Sequence, residues 1–135
     1  MSNIMYIPHI PLKYKLLPED KELWLQGLED YDKACHSLYK VTRKGDESYC
    51  CLGVAAVTIL KAKKSTLFPY RILSKFLSEE SQADHYLNSV LGQPLSDELK
   101  EYAKCAPNSV EELLSSVNDK SKTFNEVKDI IKKFL

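Results

Sequence analysis

The sequence predicts a mainly helical α+β domain, in which one small antiparallel β-hairpin packs on a central buried helix. Three observations lead to this prediction. Several segments repeat apolar side chains at helical spacing, Gly45-Asp46 lies between two short stretches rich in β-formers, and residues 52–60 are apolar on every side. The length of 135 residues, of which 44% are hydrophobic, fits one domain with a substantial core.

The first 17 residues predict an extended N-terminal arm ahead of a single globular domain over residues 18–135. Pro8, Pro11 and Pro18 lie too close together for a helix, yet the intervening residues are too apolar for a free tail. We therefore expect the arm to lie on the domain or on a partner, where it offers a route to homo-oligomers.

The first helix is predicted to begin at Pro18. Proline suits the first helical turn, and the acidic residues after it complement the helix dipole. Trp24, Leu28, Tyr31 and Cys35 then recur at helical spacing, which predicts that the helix packs by its Trp24 face.

Residues 37–41 and 48–51 predict the two strands of the hairpin, joined by a turn over residues 42–47. A two-stranded hairpin alone is only marginally stable in water, so we expect the two strands to pack against helices. Residues 52–60 predict the central helix, and Lys61, Lys63 and Lys64 follow where cations favour a helix end.

Shorter helical segments are predicted after Ser65. They cover residues 70–77 and 79–91, with Gly92 as a C-terminal glycine stop. Ser96 is predicted to cap a further helix, and Pro107-Asn108 to restart the chain before Val110. Residues 123–126 have the capping-box pattern, and an apolar stripe follows at helical spacing: Phe124, Val127, Ile130, Ile131 and Phe134.

Charge and composition exclude several classes of protein. Nineteen basic and nineteen acidic residues cancel, so no global field favours nucleic acid or an anionic membrane. No window approaches the roughly 18 consecutive apolar residues of a membrane span, and the N-terminus lacks a secretory pattern. We therefore expect a protein of the cytoplasm without a membrane partner. In that compartment the four cysteines, Cys35, Cys50, Cys51 and Cys105, are expected to be thiols.

The most specific motif is Tyr49-Cys50-Cys51-Leu52-Gly53-Val54. Together with Trp24 in an early helix and with Asn118-Asp119 ahead of Phe124-Asn125-Glu126, it resembles a group of small proteins from tailed bacteriophages and prophages. The resemblance covers most of the chain from Trp24 onward and leaves out the arm before Pro18. It implies an origin in a phage or prophage, and hence the host cytoplasm, but no reaction.

Cys50 and Cys51 are the candidate nucleophiles of the sequence. A strand-to-helix junction lowers the pKa of a thiol, and alternation along a strand would turn one of the two cysteines toward a groove. A cysteine-dependent hydrolase or transferase would also need a base, for which His36 is a candidate beside the more distant His85. The favoured interpretation is that both thiols are small apolar residues that fill buried volumes, because no catalytic motif accompanies them.

No metal site and no cofactor are predicted. Cys35-His36 facing Cys50-Cys51 offers four ligands, but adjacent ligands wrap a tetrahedral ion poorly. Asn118-Asp119 is predicted to lie in a loop before the last helix. There it either presents polar groups to a ligand at a helix N-terminus or forms an Asx turn that fixes the loop.

Basic residues cluster at two places in the sequence. One group lies in the hairpin and one after the central helix, and their meeting in space would create a patch for an acidic or phosphate-bearing partner. Tyrosines are frequent as well, and Tyr39 is among those expected near the surface. The candidate binding residues are Tyr39, Lys40, Arg43, Lys44, Lys61, Lys63, Lys64, Asn118 and Asp119.

The leading functional prediction is a non-enzymatic phage accessory protein whose purpose is counter-defence. It is predicted to bind a host component, and a host protein is the favoured partner. Phage resemblance and the lack of a convincing catalytic constellation lead to it. One alternative is a sponge that captures a signalling nucleotide between the basic residues, the tyrosines and residues 118–123. The other is the cysteine-dependent enzyme.

Overall fold

The structure is a computed structural model that describes residues 12–34, 36–68, 70–80, 82, 84–101 and 107–135. These residues form eight helices and one two-stranded antiparallel sheet, which confirms the predicted α+β fold class. The elements are α1 (Pro18–Asp30), β1 (Tyr39–Val41), β2 (Glu47–Tyr49), α2 (Cys51–Thr58), α3 (Lys64–Leu67), α4 (Leu73–Glu79), α5 (Tyr86–Gly92), α6 (Asp97–Lys100), α7 (Val110–Lys120) and α8 (Asn125–Phe134).

The central position belongs to α2, as the sequence predicts. This helix contacts α1, α4, α7 and β2, and its residues from Cys51 to Ala56 are all buried. Small residues let its neighbours approach closely. A Cβ atom on Gly53 would lie 1.8 Å from the backbone oxygen of Leu38, and one on Gly27 of α1 would lie 2.6 Å from a methyl group of Val54.

The hairpin forms with shorter strands than predicted. Tyr39 pairs with Tyr49, Lys40 with Ser48 and Val41 with Glu47. Gly45 has a φ of 89° in the turn, a conformation that glycine adopts without strain. β1 begins at Tyr39, and the preceding Leu38 N–H donates to the Tyr70 backbone oxygen at 3.0 Å.

Three predicted helix ends differ from the structure. The predicted helix over residues 79–91 begins late, because residues 80, 82, 84 and 85 are not helical and α5 begins at Tyr86. Gly92 is the last residue of α5. Its φ is not positive, so it does not form the predicted left-handed C-terminal stop. The prediction of a capping box at residues 123–126 is also wrong. The N-cap residue of α8 is Phe124, whose side chain makes no capping hydrogen bond. The hydroxyl oxygen of Thr123 accepts a hydrogen bond from the Asn125 N–H instead.

The cations predicted at the end of the central helix lie outside it. Because α2 ends at Thr58, Lys61 and Lys63 belong to the connection to α3, and Lys64 is the first residue of α3. Lys61 has a φ of 56°, a left-handed conformation in which the helix cannot continue.

Residues 12–17, the described part of the predicted arm, are not helical and pack on the domain. Leu12 and Leu16 are buried in the core, and the Leu16 N–H donates to the backbone oxygen of Leu135 at 2.9 Å. The buried side chain of Gln93 accepts from the Tyr14 N–H at 3.1 Å and donates to the Tyr14 oxygen at 2.8 Å. Residues 1–11 of the arm lie outside the described part of the chain.

Candidate functional site

The two adjacent cysteines lie where the hairpin enters α2. Cys50 is the N-cap residue, and its Sγ accepts from the Gly53 N–H at 3.4 Å. The chain therefore changes from strand to helix between the two cysteines, and strand alternation does not apply to them. The prediction that one of them faces a groove is wrong, because Cys50 is 6% exposed and Cys51 is fully buried.

Cys51 is the point where three distant helices meet. Trp24 of α1 donates its indole N–H to the Cys51 backbone oxygen at 2.8 Å. The Cys51 N–H donates to Asn118 Oδ1 of α7 at 2.9 Å, and its thiol contacts the Leu114 backbone oxygen at 3.6 Å. The residues that carry the sequence motif therefore hold α1, α2 and α7 together, which is a structural use of the motif.

Burial controls the chemistry of both thiols. Loss of solvent raises the pKa of Cys50 to about 11, although backbone N–H groups at the start of α2 act in the opposite direction. Burial also raises the pKa of Cys51 well above the ordinary value for a thiol. The prediction that the helix N-terminus lowers a thiol pKa is wrong here, and both groups stay protonated and poorly nucleophilic at neutral pH.

Asn118 and Asp119 lie in the last turn of α7 and not in a loop, so both the ligand-loop and the Asx-turn predictions are wrong for them. The fully buried Asn118 uses its amide group to join two segments, because its Nδ2 also donates to the Ala34 backbone oxygen at 2.9 Å. The hydrogen-bond partners of Asn118 lie far away in the sequence, so no local sequence pattern indicates this role.

Asp119 fixes the start of the segment before the hairpin. Its Oδ1 accepts from the His36 N–H at 3.1 Å, and its Oδ2 lies 3.0 Å from His36 Nδ1. His36 has a φ of 64°, and this double contact stabilises that left-handed conformation. The described polar contacts of His36 go to Asp119, and both buried thiols stay protonated, so His36 and the cysteines do not form an activated nucleophile.

The four-ligand metal hypothesis included Cys35, which lies outside the described residues. Over the part of the chain that the structure does describe, no group of three or more histidines, cysteines or carboxylates is arranged to hold a metal ion.

The hairpin places two of the candidate cations on different sheet faces, so the condition for a shared basic patch is not met by this pair. Lys64 lies 2.8 Å from Glu47, whose side chain shares a sheet face with Tyr39 and Tyr49. Lys40 pairs with Ser48 and projects from the opposite face. Lys40 and Lys64 therefore do not share one patch.

An acidic groove of about 480 Å³ lies on the Lys64 side of the hairpin. Glu47 forms its hydrogen-bonding centre, accepting from Lys64 Nζ and from the Tyr39 hydroxyl, each at 2.8 Å. These two bonds, with Lys64 as the stronger cause, lower the pKa of the Glu47 carboxyl. The groove is lined by Asp30, Tyr31, Asp32, Glu47, Tyr49, Val57, Ala62 and Lys64.

A second groove, of about 420 Å³, runs between β1 and the 68–71 segment, and we call it the basic groove. Two of its residues, Lys40 and Tyr39, were predicted to bind a partner, but Tyr39 is a buried wall residue and not a surface tyrosine. The lining residues are Ser37, Tyr39, Lys40, Val41, Thr42, Ser48, Phe68, Tyr70 and Arg71.

Sequence reasoning missed the 68–71 side of the basic groove. The sequence signal for this side was the close spacing of two aromatic residues and a cation, Phe68, Tyr70 and Arg71, which is typical of a binding surface. Large apolar side chains are exposed here: Val41 is 45% exposed, Phe68 is 61% exposed, and Ile72, directly after Arg71, is 52% exposed.

Comparison of the chain with protein family models, curated proteins and solved structures gave no match. The phage resemblance thus stays a prediction. Among the described residues, no helix combines the length and the apolar character that crossing a membrane requires.

Proposed function

We propose that this chain is a non-enzymatic phage or prophage accessory protein that binds a host protein in the host cytoplasm, with counter-defence as its purpose. The observation that supports binding best is the set of exposed apolar side chains beside cations at the hairpin. We call this set the hairpin surface; it comprises Lys40, Phe68, Arg71 and Ile72. The phage origin rests on the sequence resemblance alone.

The composition of the hairpin surface favours a protein partner. Exposed aromatic and aliphatic groups lose contact with water on association, and arginine is enriched among the residues that dominate binding energy. Lys40 and Arg71 add positive charge, and the hairpin turn contributes exposed Arg43 and Lys44. The partner is therefore expected to present an acidic surface with an apolar centre.

The thiols give the enzymatic alternative no support. A cysteine-dependent reaction needs an accessible thiolate, whereas Cys50 and Cys51 are buried and have raised pKa values.

The proposal predicts that Phe68→Asp and Ile72→Asp each weaken the capture of a host protein. Tagged chain is purified from infected cells, the captured protein is identified by mass spectrometry, and its binding is repeated with the purified partner. Each substitution places a charge where an apolar contact is expected, so affinity should fall by about tenfold or more. Rising salt should weaken the wild-type complex.

Leu23→Asp is the matched control, because Leu23 is a leucine of α1 that is 40% exposed and lines neither groove. This variant should bind as the wild type does. The proposal is abandoned if no purified host protein binds, or if gene deletion leaves phage growth unchanged on every defence-bearing host tested.

A further inference from the structure

We propose that the basic groove binds a nucleotide, with the phosphate at Lys40 and Arg71 and the planar base against the aromatic rings of the 68–71 segment. This site goes beyond the binding of a host protein and does not depend on it. The inference combines three features of one groove, namely its cations, its rings and its hydroxyl groups.

The cations give the groove a preference for anions. Lys40 and Arg71 are both exposed, and the described lining residues include no carboxylate. In the described ranges, neither cation forms an ion pair, whereas Lys64 on the other side of the hairpin is bound to Glu47. An arginine fork and a lysine ammonium group together match the oxygen atoms of a phosphate.

Two rings lie beside these cations. The Tyr70 ring is held in place, because it packs edge-to-face on Phe76 with 5.4 Å between centroids. Phe68 is 61% exposed, and its ring stands at 68° to the buried Tyr39 ring, with 6.5 Å between centroids. Every nucleobase has a π-face that can stack on such an exposed ring.

Tyr70 also stays uncharged. Its hydroxyl is hydrogen-bonded to the Glu79 carboxylate, which raises the pKa of Tyr70 to about 12. The Ser37 and Ser48 side chains line the same groove and offer hydroxyl groups to a sugar or phosphate oxygen.

The size and surroundings of the groove agree with a mononucleotide. Its volume of about 420 Å³ lies in the range of small-molecule sites. The acidic groove on the other side of the hairpin carries three carboxylates and disfavours the same ligand. Within one small domain, the two grooves therefore have opposite ligand preferences.

Calorimetry with the full chain tests the site. The probes are AMP, GMP, CMP, UMP, their cyclic 3′,5′ forms and ADP-ribose, and the comparison probes are adenosine, inorganic phosphate and O-phosphotyrosine. At least one nucleotide should bind about tenfold more tightly than adenosine or phosphate alone, because only the nucleotide contacts both cations and rings. Higher salt should weaken the binding.

Arg71→Ala and Lys40→Ala should each weaken the best nucleotide by about tenfold, since each removes one charge-assisted contact. Phe68→Ala removes the stacking ring and should weaken it by about fivefold or more. Lys44→Ala is the matched control: Lys44 is exposed in the hairpin turn but does not line the groove. Circular dichroism checks that every variant is folded.

Three outcomes would overturn the site: no heat with any nucleotide at millimolar concentration, phosphotyrosine binding without nucleotide binding, or equal losses for Arg71→Ala and Lys44→Ala. Ile72→Asp separates this site from the host-protein proposal, because Ile72 does not line the groove. That variant should lose the protein partner and retain the nucleotide.

Discussion

Asn118 shows how one side chain acquires a role that its neighbours in sequence do not indicate. Its amide oxygen accepts from the Cys51 N–H and its amide nitrogen donates to the Ala34 oxygen. These partners lie 67 and 84 residues away. A local pattern predicts turns and caps, whereas the burial of a polar side chain depends on which segments meet in space.

Asn118→Ala is expected to lower the free energy of unfolding by about 2 to 4 kcal/mol, because a buried donor and a buried acceptor lose their partner. Urea denaturation followed by circular dichroism measures the change. The same substitution at Asn125, which is exposed at the start of α8, serves as the control and should have little effect. Equal stability of the two variants would contradict the structural role of Asn118.

Cys50 and Cys51 are a second case in which burial changes the role that the local sequence predicts for a side chain. Its position at a helix start is correctly predicted, but the electrostatic consequence is reversed by burial. The helix N-terminus stabilises a thiolate only where solvent or a cation also reaches the sulfur. Free cysteines in such surroundings behave as small apolar residues.

At the scale of elements, α2 and the segment before β1 are in unusually close contact. The Leu38 backbone passes close to Gly53. A Cβ atom on Gly53 would lie 1.8 Å from the backbone oxygen of Leu38, which is too short for any real contact. The motif therefore contains glycine at this position for steric reasons, since Gly53 has no positive φ.

Gly53→Ala is expected to lower the free energy of unfolding by about 3 kcal/mol or more, because backbone must move to accommodate one methyl group. Gly92→Ala is a matched control: a Cβ atom there meets nothing within 4 Å, so stability should rise slightly, by less than about 1 kcal/mol. Thermal denaturation of both variants tests this contrast. A tolerated Gly53→Ala would mean that Leu38 is not held against α2.

Helices with a single apolar stripe are the elements that the sequence predicts best. The stripe of α8 is buried at Val127, Ile130 and Ile131, and α1 buries Trp24 and Leu28 as expected. Prediction fails over the first part of residues 79–91, because α4 ends at Glu79, residues 80, 82, 84 and 85 are not helical, and α5 begins only at Tyr86. A periodic pattern does not report where the chain leaves one helix to pack another.

At the scale of the molecule, residues 12–17 of the predicted arm pack against the core of the domain. Leu12 and Leu16 belong to the core, and the hydrogen bonds of Tyr14 and Leu16 attach this segment to Gln93 and Leu135. The sequence signalled apolar content without a helix, but it left open whether this surface lies on its own domain or on a partner.

Leu16→Ala should lower the free energy of unfolding by about 2 to 4 kcal/mol, since Leu16 is 6% exposed and its removal leaves a cavity. Leu17→Ala changes a neighbour that is 49% exposed and should alter stability by less than about 0.5 kcal/mol. Urea denaturation of both variants at low protein concentration makes the comparison. Similar small effects would show that the segment is not anchored in solution.

The sequence by itself determined the α+β class, the hairpin, the central helix and the packing role of the cysteine motif. Periodicity, turn residues and an apolar run are local properties, and local interactions are sufficient to favour these elements. Tertiary structure alone decided the meeting of Trp24, Cys51 and Asn118, and it divided the predicted basic patch between two faces of the hairpin. It also created the basic groove by placing residues 68–71 beside β1. Such groupings depend on long-range packing, which no short stretch of sequence encodes.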